Sequence, residues 1–258
     1  MTTKDFAGRV GGALVVGGSG GIGLAVARML ASRGCDVAVT YRSRPEAAEA
    51  VVDSVRGWGV RGAAYQLDTG DATQASDVVA EVATAYDGLH TVVHAAGPHV
   101  PMVHLSTVTA AQMAEQLTAD AAGFFNVARP ALPYLRENEG SVVAVTTAAT
   151  SRYPVRDGLS SAPKGAVEAM VRALAAEEGR FGVRVNCVGP GMLTDGMAAR
   201  LIDSGDLSDE ALAITRRNIP LRRFGTATDI AEAVCFLASD RAGFISGQKL
   251  DVDGGYSV

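Results

Sequence analysis

A single-domain α/β fold, with a seven-stranded parallel sheet covered on both faces by helices, is predicted by three features of the 258-residue sequence. Short β-branched runs alternate with longer amphipathic stretches over the whole of 1–258. No internal repeat, low-complexity tract or linker interrupts them. A glycine-rich turn joins the first run to the first amphipathic stretch. Strands alternating with helices build βαβ units, whose crossovers bury a parallel sheet on both sides. The length is that of one domain with a substantial core.

The strand runs are ALVVGG (13–18), DVAVTY (36–41), GAAYQL (62–67), HTVVHA (90–95), SVVAVTT (141–147), VRVNCVG (183–189) and QKLDVDG (248–254). Helical patterns lie between them near 22–33, 45–56, 71–86, 109–136, 160–180 and 228–238. One stretch, 190–227, breaks the rhythm, starting PGMLTDGM and ending PLRRFG. It exceeds an ordinary connection, and long loops in compact domains tend to be lids or binding segments. It is expected to cover a substrate.

Charged residues sum to 23 − 28 = −5, which provides no footprint for nucleic acid or an anionic membrane. Cys35, Cys187 and Cys235 are widely spaced and form no CxxC pair. With an N-terminus lacking an apolar core, they point to a reduced, cytoplasmic location. No apolar run approaches the 18 or so residues of a membrane span. The four histidines have no metal-ligand spacing with thiols or carboxylates, and there is no GxSxG nucleophile elbow.

The glycine-rich turn is VVGGSGGIGLAVA (15–27). Gly17, Gly21 and Gly23 read GxxxGxG, with Ser19 and Ile22 between them; Gly18, Gly20 and Gly23 also read GxGxxG. Residues without Cβ permit a sharp turn and close backbone approach. The helix that follows offers free N–H groups and a positive dipole end to a pyrophosphate. The motif follows a strand, opens a helix and starts a βαβ unit, the context of a dinucleotide site.

The end of the second strand selects between dinucleotides. An acidic residue there accepts from the ribose 2′-hydroxyl of NAD. This chain has VTYRSR: Tyr41 in the acidic position, then Arg42, Ser43 and Arg44. A guanidinium pairs well with a 2′-phosphate, so NADP(H) is the expected cofactor, with Arg42 preferred to Arg44. Asp36 lies at the wrong end of its strand. Asp68 ends the third strand and is read as an acceptor for the adenine amine or as a cap for helix 71–86.

These residues, with Lys164 and the ending ISGQKLDVDGGYSV, resemble the short-chain dehydrogenase/reductase family over essentially the whole chain; PLRRFGTATDIAEAVCFLASD and VNCVGPGM match it too. The resemblance implies a Rossmann fold and a homotetramer or homodimer. It also implies cofactor contacts from Ala95, Ala96 and Gly97 of HAAG, from Pro190 and Gly191, and from Lys164. In the family an Asn, a Ser, a Tyr and a Lys carry the chemistry. Tyr protonates the reduced oxygen, Lys lowers its pKa and holds the ribose, Ser orients the substrate, and Asn supports a relay water. The matching residues here are Asp120, Thr147, Ser160 and Lys164. The thirteen-residue step from Thr147 to Ser160 equals the family's usual step.

Ser160 and Lys164 lie i,i+4 on one helix face. A serine hydroxyl, however, is a far weaker acid than a phenol, whose pKa starts at about 10, and is several ångströms shorter. Residue 160 is therefore not expected to protonate a carbonyl directly. Thr147 keeps a hydroxyl for a substrate oxygen. Asp120 brings a carboxylate towards Lys164, to pair with it or, if buried, to serve as an acid. The pattern is similar to that of NADPH-dependent 2,4-dienoyl-CoA reductases, which lack the tyrosine and in one subgroup carry aspartate at the Asn position. Tyr153 and Asp157 after strand five, and His99 and His104 after strand four, are candidate replacement acids. His94 reads as a hydrogen-bonded strand-end histidine.

The expected activity is hydride transfer from NADPH to a small-molecule acceptor: a conjugated enone, an enoyl or dienoyl thioester, or a ketone. The alternatives are a non-redox dehydratase, cyclase or isomerase on the same scaffold, and a catalytically silent NADP-binding protein.

Overall fold

The computed structural model describes residues 4–98, 100–195 and 209–258. The strands are β1 (Gly12–Val16), β2 (Val37–Tyr41), β3 (Gly62–Gln66), β4 (Leu89–His94), β5 (Ser141–Val145), β6 (Arg184–Pro190) and β7 (Lys249–Val252). The helices are α1 (Gly21–Ser32), α2 (Pro45–Arg56), α3 (Ala72–Ala85), α4 (Ala110–Leu117), α5 (Gly123–Glu137), α6 (Gly158–Glu178), α7 (Asp209–Asn218) and α8 (Ala227–Ala238).

All seven strands join one sheet in the order β3-β2-β1-β4-β5-β6-β7, and every pairing is parallel. The strand order therefore reverses at β1, which has β2 on one side and β4 on the other. Such a switch point opens a crevice at the carboxyl edge, where ligands bind in open α/β sheets.

Two apolar layers sandwich the sheet. Alternate residues of β1 divide between them: Ala13 and Val15 face the layer under α1, α2 and α8, while Leu14 and Val16 face that under α3, α5 and α6. Each of these four is fully buried. Helix starts are fixed locally. Asp71 accepts from the Thr73 and Gln74 amides at the head of α3. Thr109 with Gln112, and Thr226 with Asp229, form reciprocal capping boxes at α4 and α8.

The helix predicted over 109–136 is two helices. A π-helical turn, Thr118–Ala122, separates α4 from α5. No proline or glycine falls within 118–122, and Pro130 and Pro133 further on are accommodated inside α5, so the wider turn has no strong local signal; such turns tend to occur at functional sites. Strands 13–18, 141–147 and 248–254 each end earlier than expected. Gly17, at φ 77°, leaves β1 in a turn, Thr147 opens a 3-10 turn, and Gly254, at φ 67°, follows β7. No helix among the described residues is long and apolar enough to cross a membrane.

Candidate active site

A cleft of about 1240 Å³ runs along the carboxyl edge of the sheet. At one end the glycine-rich turn contributes Gly17, Ser19, Gly21 and Ile22. Gly17 requires its missing Cβ: a side-chain carbon there would lie 2.8 Å from the Ala96 Cα and amide nitrogen. Its own amide donates to the Thr40 hydroxyl at 3.0 Å, tying the turn to the end of β2. The N-cap of α1 is Gly20, which has no side chain to occupy the first amides, and no acidic residue stands in the first turn. These donors remain available to an anion in the cleft.

Gly23, expected as a cofactor contact, does not line the cleft. It lies behind the turn, where a Cβ would meet the Gly17 carbonyl oxygen at 2.3 Å. Its place in the motif is explained by packing of helix against turn.

Beside the glycines, Arg42, Ser43 and Arg44 line the cleft where β2 ends. The sequence ranks Arg42 above Arg44, yet a guanidinium nitrogen of Arg44 lies 3.2 Å from where a Gly20 Cβ would be. Arg44 is thus folded directly over the turn. Asp68 also lines this end. Its carboxylate accepts from the Gly70 amide at 2.9 Å and does not cap α3, the cap being Asp71.

The centre of the cleft is walled by Ala95, Ala96 and Gly97 after β4, and by Pro190 and Gly191 at the end of β6. Thr147, Ser160, Lys164 and Asp120 meet here. The Lys164 ammonium lies 2.7 Å from Asp120 Oδ1, and the Asp120 side chain is only 2% exposed. The π-helical turn aims Asp120 at the lysine. Gly97 makes room for the pair, since a Cβ there would lie 3.3 Å from Lys164 Nζ and 3.4 Å from Asp120 Oδ1. Thr147 Oγ1 accepts from the Ala149 amide at 3.1 Å, leaving its own hydrogen free to donate.

Of the candidate replacement acids among the described residues, the structure brings one into the cleft. Tyr153 is 69% exposed and does not line it, because the loop after the 3-10 turn at Ala148–Thr150 carries the ring outward. His104 is exposed at the N-cap of another 3-10 turn, Leu105–Thr107, and is also absent from the lining. His99 lies outside the described residues. Asp157 does line the cleft, and burial pushes its carboxyl up to about 6.

His94 differs from expectation. It is buried edge-on to Phe124, with ring centroids 5.6 Å apart, and neither ring nitrogen has a hydrogen-bond partner. Burial, aided by the Lys164 charge, lowers its pKa to about 3, so the ring is neutral.

Sequence reasoning missed Tyr256, which lines the cleft from the C-terminal turn. Arg152 holds it, with its guanidinium carbon 4.7 Å from the ring centroid and a 2.7 Å bond to the Tyr256 carbonyl. No local signal marks a contact spanning 104 residues. From the stretch expected to form a lid, Met192, Thr215 and Ile219 line the cleft, while 196–208 lie outside the described residues. Among the described residues no group of His, Cys, Asp and Glu is arranged to hold a metal.

Residues 16–257 match the family model described as enoyl-(acyl carrier protein) reductase. The chain belongs to the short-chain dehydrogenase/reductase family. It is an oxidoreductase of that family by descent. The 3-oxoacyl-[acyl-carrier-protein] reductase of Staphylococcus epidermidis is 33% identical over 244 residues, covering 94% of this chain and 97% of the relative. Among solved family members, a short-chain dehydrogenase from Burkholderia cenocepacia in complex with NADP superposes with a TM-score of 0.86 at 30% identity, over 97% of this chain and 99% of the other. Carveol dehydrogenase from Mycobacterium avium, in complex with NAD, superposes with a TM-score of 0.89 at 25% identity, over 97% and 98%.

Proposed function

We propose that this protein is an NADP(H)-dependent reductase that transfers hydride to a small carbonyl or conjugated acceptor without a phenolic acid at position 160. The observation that carries the reading is that one cleft joins an uncapped helix N-terminus and two guanidinium groups to Lys164 and two hydroxyl side chains. The residues fit the dinucleotide. The glycine turn presents backbone donors to the pyrophosphate, and Arg42 and Arg44 meet the 2′-phosphate. Lys164, held by Asp120, holds the nicotinamide ribose.

The cofactor supplies the hydride when bound. The chain's own part is to receive the acceptor and the charge that develops on it. Thr147 and Ser160 donate to the substrate oxygen, and such donors stabilise an oxyanion without needing a matched acid. This favours acceptors that delocalise charge, such as enones and enoyl or dienoyl thioesters. The acyl-carrier-protein reductase among the relatives is consistent with a thioester. Asp120 acts here as a positioning residue.

The serine at 160 favours a second reading, a dehydratase, cyclase or isomerase, or a silent NADP-binding protein. Absorbance at the reduced nicotinamide band separates the readings. NADPH should be consumed in proportion to product with at least one of acetoacetyl-coenzyme A, cyclohexenone and phenanthrenequinone. Product formed with no loss of NADPH would establish non-redox chemistry instead, and NADPH binding with no turnover would establish the silent protein.

A further inference from the structure

The geometry points to Asp157 as the general acid of this cleft, its protonated carboxyl taking the place of the phenol. The inference rests on the reductase reading above and adds the one group that reading leaves unassigned.

Asp157 is the N-cap residue of α6. Counting along the helix, 157, 160 and 164 are i, i+3 and i+7, one continuous stripe on one face. At about 1.5 Å per residue, Asp157 stands roughly 4.5 Å beyond Ser160, on the side away from Lys164. All three line the same cleft. A serine leaves unfilled the space that a phenol would cross, and Asp157 is the next polar group on the stripe.

The side chain is not committed to structure. It makes no capping hydrogen bond, although its position is one where aspartate ordinarily caps. Its carbonyl accepts from the Ser160 amide at 3.0 Å and the Ser161 amide at 2.9 Å. No cation pairs with it among the described residues, and burial alone raises its pKa. The surrounding charges are otherwise engaged. Arg156 donates to the Met102 carbonyl at 3.0 and 2.6 Å. Lys164 is paired with Asp120. Asp195 accepts from the Ala227 amide at 2.9 Å. Arg152 is bonded to the Tyr256 carbonyl. His104 caps the turn whose Leu105 packs on Gly158, and is itself exposed. Glu115 of α4 lines the cleft as a further carboxylate.

The step balances. When bound, the reduced nicotinamide would supply one hydride, which carries both electrons, to the electrophilic carbon of the acceptor. The carbonyl π pair moves to oxygen, directly or through a conjugated double bond. The Asp157 O–H bond then breaks and its proton goes to that oxygen or, for the conjugated acceptor, to the α-carbon. The carboxylate left behind recovers a proton from solvent.

The test begins on protein without cofactor, labelled with carbon-13 at the aspartate carboxyls. The Asp157 resonance, assigned by its loss in Asp157→Asn, should titrate near 6. Turnover of the acceptors named above should fall as pH rises through that midpoint in the native protein. Asp157→Asn should lose about 100-fold or more in turnover, together with that pH dependence, while keeping its affinity for NADPH. Asp157→Glu should restore part of the rate, and Tyr256→Phe should keep the pH limb whatever its rate. Titration of Asp157 near the ordinary value would overturn the inference but leave the reductase reading intact. So would full turnover in Asp157→Asn, or loss of the pH limb in Tyr256→Phe instead. Titration near 6 in a protein that binds NADPH but reduces nothing would remove both.

Discussion

Asp120 Oδ1 lies 2.7 Å from Lys164 Nζ, and the glycine at 97 leaves the space in which the two side chains meet. The carboxylate is almost wholly buried and the ammonium mostly so, with side-chain exposures of 2% and 14%. Removing one member of such a pair leaves the other charge without compensation. Asp120→Ala should lower the unfolding free energy by about 3 kcal/mol, measured by urea denaturation. It should also weaken NADPH binding, because Lys164 loses its anchor. Unchanged stability and affinity would show that the lysine is positioned by something else.

The glycine turn makes a sharper structural demand. A Cβ on Gly23 would sit 2.3 Å from the Gly17 carbonyl oxygen, a backbone atom that cannot swing aside. Gly23→Ala should therefore open the turn, destabilise the protein by about 1–3 kcal/mol and reduce dinucleotide affinity. Thermal unfolding and dinucleotide titration check the two effects.

Arg44 and Arg42 are expected to distinguish the dinucleotides. Each alanine variant should weaken NADPH by about tenfold, or ~1.4 kcal/mol, and leave NADH binding unchanged. The larger loss should come from Arg44, which lies over Gly20. Equal losses for both dinucleotides would show that the arginines do not read the 2′-phosphate.

Buried titrating groups give the stability a pH dependence of defined sign. His90 and His94 both have folded values near 3 against an ordinary 6.5. The unfolded chain takes up protons below about 6.5 that the folded chain refuses, so their contribution is complete above 6.5 and is lost as pH falls towards 3. Asp157 acts in the opposite direction, raised from 3.8 to about 6. Its contribution is complete below 3.8 and is lost as pH rises through 6. His94→Leu should flatten the acid loss seen in urea midpoints. Asp157→Asn should be more stable than the native protein near neutral pH, with the difference vanishing below about pH 4.

Much of this was legible in the sequence because it is encoded locally. Most strands are β-branched runs bounded by turn residues, and the Gly17–Gly23 turn announces the dinucleotide end. The pairing of Asp120 with Lys164 follows from residue chemistry once the family resemblance places both in one site. Other features depend on contacts between distant segments. The π-helical turn at 118–122 sits in a continuous helical pattern, and Tyr256 reaches the cleft only because Arg152 holds it. Tyr153 and Asp157 stand four residues apart in one loop, yet the loop turns one out and the helix cap turns the other in. Composition cannot distinguish them. Gly23 was legible as part of a motif, but its reason is packing rather than contact with a ligand.

The central claim is that the cleft holds NADP(H). Calorimetric titration of the purified protein with NADPH and NADH tests it most directly. One binding site per chain, tighter for NADPH than for NADH, is the expected result. Tighter binding of NADH would contradict the role of Arg42 and Arg44, and no heat of binding from either dinucleotide would contradict the account as a whole.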